Sequence, residues 1–143
     1  MDKLDEQIVE LLKWNSRMTS SEISKMVHLS IPAVSERIRK LEEKGIIERF
    51  TLKLGREATG NGLLAFVFVT LERPDCIPEF SEKIKESKAV LECHHLAGED
   101  DYLLKVAVLD IKALEQFISN HLKQISGIVK TKTVIALSTL KEE

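Results

Sequence analysis

The chain has 143 residues, 43% of them hydrophobic and 31% charged, which is enough to bury a sizeable core and excludes a disordered polypeptide. Its longest apolar run, Leu63 to Leu71, is interrupted by Thr70 and falls far short of the roughly 20 residues a membrane helix needs, so no membrane partner is expected. Net charge is −2, and nine of the 21 basic and nine of the 23 acidic residues lie before Thr51, leaving twelve and fourteen after it. Neither half is a polycation, so any nucleic-acid function must rest on local geometry instead of bulk attraction. The charged start (Asp2, Lys3, Asp5, Glu6) lacks an apolar signal core, and two cysteines fit a reducing compartment, so a cytoplasmic location is expected.

In chain order, Leu4, Ile8, Leu11 and Leu12 form one helical stripe, with Asp2, Asp5 and Glu6 at the favourable end of its dipole. A second, shorter helix starts at Thr19 or Ser20 and turns Ile23, Met26 and Val27 inward. The third follows Ser30, a good N-cap, with Pro32 in its first turn, where a missing N–H is harmless. Val34, Ile38 and Leu41 fall within about 60° of arc on it, and Gly45 ends it. Ile46 to Leu54 reads as a short hairpin or wing with Ile47 and Phe50 buried. Gly55, Gly60 and Gly62 then mark a connection, which places domains at 1–54 and 63–143 with a linker at 55–62.

The second half reads as a strand (Leu63–Glu72), a helix (Ile77–Ser87), two strands (Ala89–Leu96, Tyr102–Leu109), a helix (Ile111–Ile125) and a last strand (Ile128–Leu140). This β-α-β-β-α-β order is the split-βαβ, ferredoxin-like signature, so the fold class is α+β behind a three-helix domain. On the first strand Leu64, Phe66 and Phe68 point one way and Ala65, Val67, Val69 and Leu71 the other, yet two helices cover only one face. Either a second subunit or other parts of the same chain must cover the remaining face.

The short His28–Leu29–Ser30 turn sets the second and third helices at a helix-turn-helix angle. With Val34, Ile38 and Leu41 buried, the third helix exposes Ser35, Glu36, Arg39, Lys40 and Glu43, with Arg37 on its shoulder. Such a helix fits the major groove, where Arg39 reads a base or phosphate, Ser35 donates or accepts, and Lys40 and Arg37 suit phosphates. An ordinary solvated face laced with Glu–Lys pairs would look the same. Cys93, His94 and His95 invite a metal reading, but strand neighbours point to opposite faces, so no metal site and no cofactor are expected. Nothing places a base against Cys93, so no catalytic residue is assigned. Gly98, Glu99, Asp100, Asp101 and Tyr102 put three carboxylates on a strand-joining loop, which is either a solvated tip or a site for an ammonium group.

Leu4, Asp5, Ile8 and Leu12, then Leu29–Ser30, Val34, Arg37–Ile38, Leu41 and Gly45–Ile46–Ile47, and finally Gly98, Asp101–Tyr102–Leu103–Leu104–Lys105 and Gly127–Ile128 resemble the Lrp/AsnC, or feast/famine, family of transcription regulators. The resemblance spans residues 1–140. It implies a DNA-binding N-terminal domain whose contacts fall on Ser30, Pro32, Ser35, Glu36, Arg37, Arg39 and Lys40. It also implies a C-terminal RAM domain that pairs into a homodimer, with dimers assembling into tetramers or octamers. A small effector, typically an amino acid, is implied between dimers beside Gly98, Asp100, Asp101 and Tyr102. Two positions depart from the family pattern: His28 stands where Gly is common, which asks a left-handed backbone of a histidine, and Ile31 separates Ser30 from Pro32. The expected function is a double-stranded-DNA-binding transcription regulator, not an enzyme, tuned by a small metabolite. An effector-free DNA-wrapping protein and a non-DNA, small-molecule-binding assembly protein stand as alternatives.

Overall fold

The computed structural model describes residues 1–143, which divide into two compact units, Met1–Lys53 and Leu54–Glu143. The first unit holds α1 (Lys3–Trp14), α2 (Ser20–Val27) and α3 (Ile31–Glu43). Each helix starts on a side chain that accepts one of its orphan N–H groups. Asp2 accepts from Asp5 N and Asp5 returns the bond to Asp2 N; Thr19 and Glu22 repeat this box on α2; Ser30 accepts from Ala33 N on α3. Ile8, Leu12, Ile23, Val27, Val34 and Leu41 form the core, with Ile38 and Ile47 packed beside it. Met26, expected to face inward, is 54% exposed, because the one-turn contact on an eight-residue helix is met by Ile23 and Val27 alone.

His28 ends α2 in the left-handed region at φ 56°, donating its N–H to the Ser24 carbonyl. The histidine thus takes the backbone role expected of it, and Leu29 N bonds back to the same carbonyl at 3.1 Å. Gly45 closes α3 at φ 70°, and Ile46 N reaches the Leu41 carbonyl, a Schellman-type ending. The hairpin expected over residues 46–54 does not form: no strand occurs there, and Phe50 is 46% exposed. Phe50, Leu52 and Leu54 do alternate with Thr51 and Lys53, but alternation makes a strand only where a second strand offers a ladder.

The second unit is a four-stranded antiparallel sheet, order β2-β3-β1-β4, from β1 (Leu63–Leu71), β2 (Val90–His95), β3 (Tyr102–Val108) and β4 (Ile128–Ile135). α4 (Ile77–Glu86) and α5 (Ile111–Gln116), the latter continued by a π-helical turn over Phe117–Leu122, cover one face. Ala65, Val67, Val69 and Leu71 point into that core with Phe80, Ile84, Leu104, Val106 and Leu122. The opposite face carries Phe66 and Phe68, directly opposite Lys105 and Leu103 of β3 and Val134 and Lys132 of β4. β4 stops at Ile135 and not at Leu140, because its partner β1 begins at Leu63, and one last bond, Ala136 N to the Leu64 carbonyl, ends the ladder. The glycine-rich stretch 55–62 is folded within this unit. Arg56 donates to Glu142 Oε2 at 2.6 Å and to Thr139 Oγ1 at 3.2 Å, tying the stretch to the C-terminal segment.

Candidate nucleic-acid interface and effector loop

On α3, burial of Val34 and Leu41 leaves Ser35, Glu36, Arg39, Lys40 and Glu43 exposed on the outward face. Ser30 is committed as the N-cap and Pro32 sits in the exposed first turn, so the N-terminal end of the helix is unobstructed within this unit. Ser35 Oγ lies 3.0 Å from Ser20 Oγ, linking α3 to the start of α2.

The cations of this face are all partnered. Arg39 Nε and Nη2 donate to the two carboxylate oxygens of Glu36 at 2.9 and 2.7 Å, and Nη1 donates to Glu43. Lys40 Nζ lies 3.7 Å from Glu36. Hydrogen bonding to the Arg39 guanidinium holds the Glu36 carboxyl down to about 2, and the same pair pushes Arg39 further up. Arg37 does not join this face. It bridges Asp2 Oδ2 at 2.8 Å and Asp5 Oδ1 at 2.7 Å, fastening the N-terminus of α1 to the middle of α3. Glu43 as a partner of Arg39, and Asp2 and Asp5 as partners of Arg37, are the pairings sequence reasoning missed, although the i,i+4 spacing from Arg39 to Glu43 was visible.

The acidic loop is divided between roles. Asp101 Oδ2 accepts from Leu71 N at 2.7 Å while Asp101 N donates to the Val69 carbonyl at 2.9 Å, bracing the end of β1 where its register with β4 shifts. Asp100, whose side chain is 14% exposed, accepts from Thr70 Oγ1 at 3.1 Å and faces Lys132 Nζ at 3.9 Å. Tyr102 lies on the helix-covered face, its ring 4.7 Å from Phe80 and stacked at 4.7 Å on His95, lining a cleft of about 450 Å³ with Cys93. Burial pushes the tyrosine hydroxyl up, with Cys93 and Asp101 adding to the effect. Asp100 and Tyr102 therefore face opposite sides of the sheet. Gly98 has open space around it, since a Cβ added there would meet nothing within 4 Å. Thr70 and Lys132, which the sequence reading passed over, complete the surroundings of Asp100. No group of three or more histidine, cysteine or acidic side chains converges as a metal would require.

Residues 64–143 match the model of the Lrp/AsnC ligand binding domain, and residues 1–48 that of a winged helix-turn-helix DNA-binding domain. The chain belongs to the Lrp/AsnC family. It is a helix-turn-helix DNA-binding transcriptional regulator with a C-terminal ligand-binding domain, and its relatives are regulators, not enzymes. The leucine-responsive regulatory proteins of Klebsiella pneumoniae and Escherichia coli K12 are each 33% identical to it, over 99% of this chain and 88% of theirs. Among solved structures, a transcriptional regulator from Neisseria meningitidis in complex with L-Met superposes with a TM-score of 0.94 at 31% identity, covering 99% of this chain and 93% of that one. Escherichia coli AsnC superposes at 0.93 with 25% identity, covering 100% and 96%. No helix of this Lrp/AsnC regulator is long and apolar enough to cross a membrane.

Proposed function

We propose that this regulator binds duplex DNA by inserting α3 into the major groove and answers to a free amino acid bound beside the 98–101 loop. The observation that carries the DNA half is the outward face of α3. Ser35, Glu36, Arg39 and Lys40 stand exposed in line behind an unobstructed first turn bearing Ser30 and Pro32. Arg39 and Ser35 supply base-edge chemistry and Lys40 a phosphate contact, while Arg37 acts structurally through Asp2 and Asp5.

Asp100 is the acid suited to an effector's ammonium group, because Asp101 is spent on the backbone of Leu71. The Neisseria relative's complex with L-Met supports an amino acid as the effector class. Because Asp100 and Tyr102 face opposite sides of one sheet, they do not close a pocket within one chain; a site assembled between copies accommodates that division. A homodimer, assembling further into tetramers or octamers, is supported by the apolar residues left on β4 and beyond it. Val134 is 49% exposed, and Leu137 and Leu140 are 99% and 100% exposed. The protein acts in the cytoplasm.

The test is binding of mixed-sequence duplex at rising salt. Phosphate contacts make the logarithm of affinity fall linearly with that of salt, and Lys40→Ala reduces the slope by about one per engaged helix. A flat salt response contradicts the reading.

A further inference from the structure

The acids on the recognition helix do more than solvate it. We propose that Glu36 is a positioning residue that holds Arg39 ready for a guanine edge and suppresses indiscriminate binding to phosphate. This rests on the reading of α3 as the groove-entering helix.

The geometry is that of a buttress. Both carboxylate oxygens of Glu36 accept from the Nε and Nη2 edge of Arg39, at 2.9 and 2.7 Å, and Glu43 accepts from Nη1. A guanidinium has five N–H groups in a fixed plane. With three engaged, one remains on each terminal nitrogen, which is the pair that a guanine O6 and N7 accept. An isolated arginine on a helix surface would sample many rotamers and lose that freedom on docking. Here the two acids, one turn before and one turn after Arg39, restrain it beforehand on the same face.

Charge supplies the second half. Glu36, Arg39, Lys40 and Glu43 sum to zero, and Lys40 also leans on Glu36 at 3.7 Å. A helix face without net charge on a chain of net charge −2 draws little from the phosphate field. What it gains at a matching site comes from the oriented Arg39, so the ratio of specific to non-specific affinity rises even though the acids weaken both. An ordinary surface glutamate placed only to support the helix would do neither.

The experiment uses the full chain and begins by selecting bound sequences from a randomised duplex library. The wild type enriches a site containing a guanine whose replacement by 7-deazaguanine, which removes N7, weakens binding. Arg39→Ala lowers that discrimination by about tenfold or more. Glu36→Ala lowers it comparably while its affinity for a poly(dA-dT) duplex, which offers no O6–N7 acceptor pair, rises, and Glu36→Gln, which keeps one acceptor oxygen, falls between. Adding Glu36→Ala to Arg39→Ala costs no further discrimination, because Glu36 acts through Arg39. Circular dichroism confirms that α3 persists in each variant. Glu36→Ala with unchanged guanine discrimination overturns the proposal, and so does a loss that persists in the Arg39→Ala background, which makes Glu36 itself a base reader. A wild type that binds duplex but enriches no sequence overturns the proposal, and one that binds no duplex at all overturns the DNA-binding reading beneath it.

Discussion

Replacing Asp101 separates architecture from ligand binding in the acidic loop. Its carboxylate accepts the Leu71 N–H at 2.7 Å where the β1–β4 register shifts, and Leu71 is only 9% exposed. Asp101→Ala leaves that N–H without its partner, a loss of about 1–3 kcal/mol. For a unit the size of residues 54–143 each kcal/mol corresponds to roughly 4–8 °C in Tm, so the variant melts about 4–24 °C lower in differential scanning calorimetry. Asp101→Asn, which retains an acceptor oxygen, loses less. Both variants still show the rise in Tm that a millimolar amino acid gives the wild type. Asp100→Asn does the reverse. It keeps its bond to Thr70, loses the charge that faces Lys132, melts within about 0.5 kcal/mol of the wild type and no longer responds to amino acids. An Asp101→Ala protein with unchanged Tm and an abolished amino-acid response would refute this division of labour.

Asp2, held down first by the Asp5 backbone, and Asp5, held down first by Arg37, both lie below the ordinary carboxylate value of 3.8. Their contribution to the first unit is therefore fully present above that value and lost as pH falls below it. Arg37→Met narrows this acid-side loss in a pH series of thermal melts and leaves the salt slope of DNA binding unchanged; a lower slope would make Arg37 a phosphate contact. On the sheet, Phe68 lies under Lys132, whose Nζ is 4.4 Å from the ring centroid, so a glutamate there finds a partner and the fold survives. Phe68→Glu should cost a symmetric dimer roughly 2–4 kcal/mol, a thirty- to thousand-fold weaker association by light scattering. Val67→Glu, fully buried on the helix-covered face, unfolds the second unit instead.

The three helices were legible because each carries one apolar stripe and its own cap: Asp2, Thr19 and Ser30 are local signals, and so is Gly45. The β-α-β-β-α-β order was legible for the same reason, since alternation and helix caps such as Asp110 act over a few residues. What failed was whatever depends on a distant partner. Residues 50–54 alternate like a strand but have no ladder, and β4 ends where β1 begins, a limit set about 70 residues away in sequence and invisible to periodicity. The face of β1 that meets the helices could not be chosen from β1 alone, because both faces are apolar. At the candidate site, sequence spacing identified the outward residues of α3, but ion pairing sorted them. Arg37 reads as a phosphate contact on the helix shoulder until Asp2 and Asp5 engage it, and the bond from the Leu71 N–H is what sets Asp101 apart from Asp100.

In the proposed function, a small amino acid bound to the second unit changes how the first unit holds DNA. The direct measurement is DNA affinity, on a duplex selected by the protein itself, with and without each common amino acid at millimolar concentration. At least one amino acid is expected to shift the affinity by roughly 5- to 150-fold, and Asp100→Asn to abolish the shift while leaving effector-free affinity intact. Identical binding curves with every amino acid, from a protein that binds the duplex tightly, would contradict it.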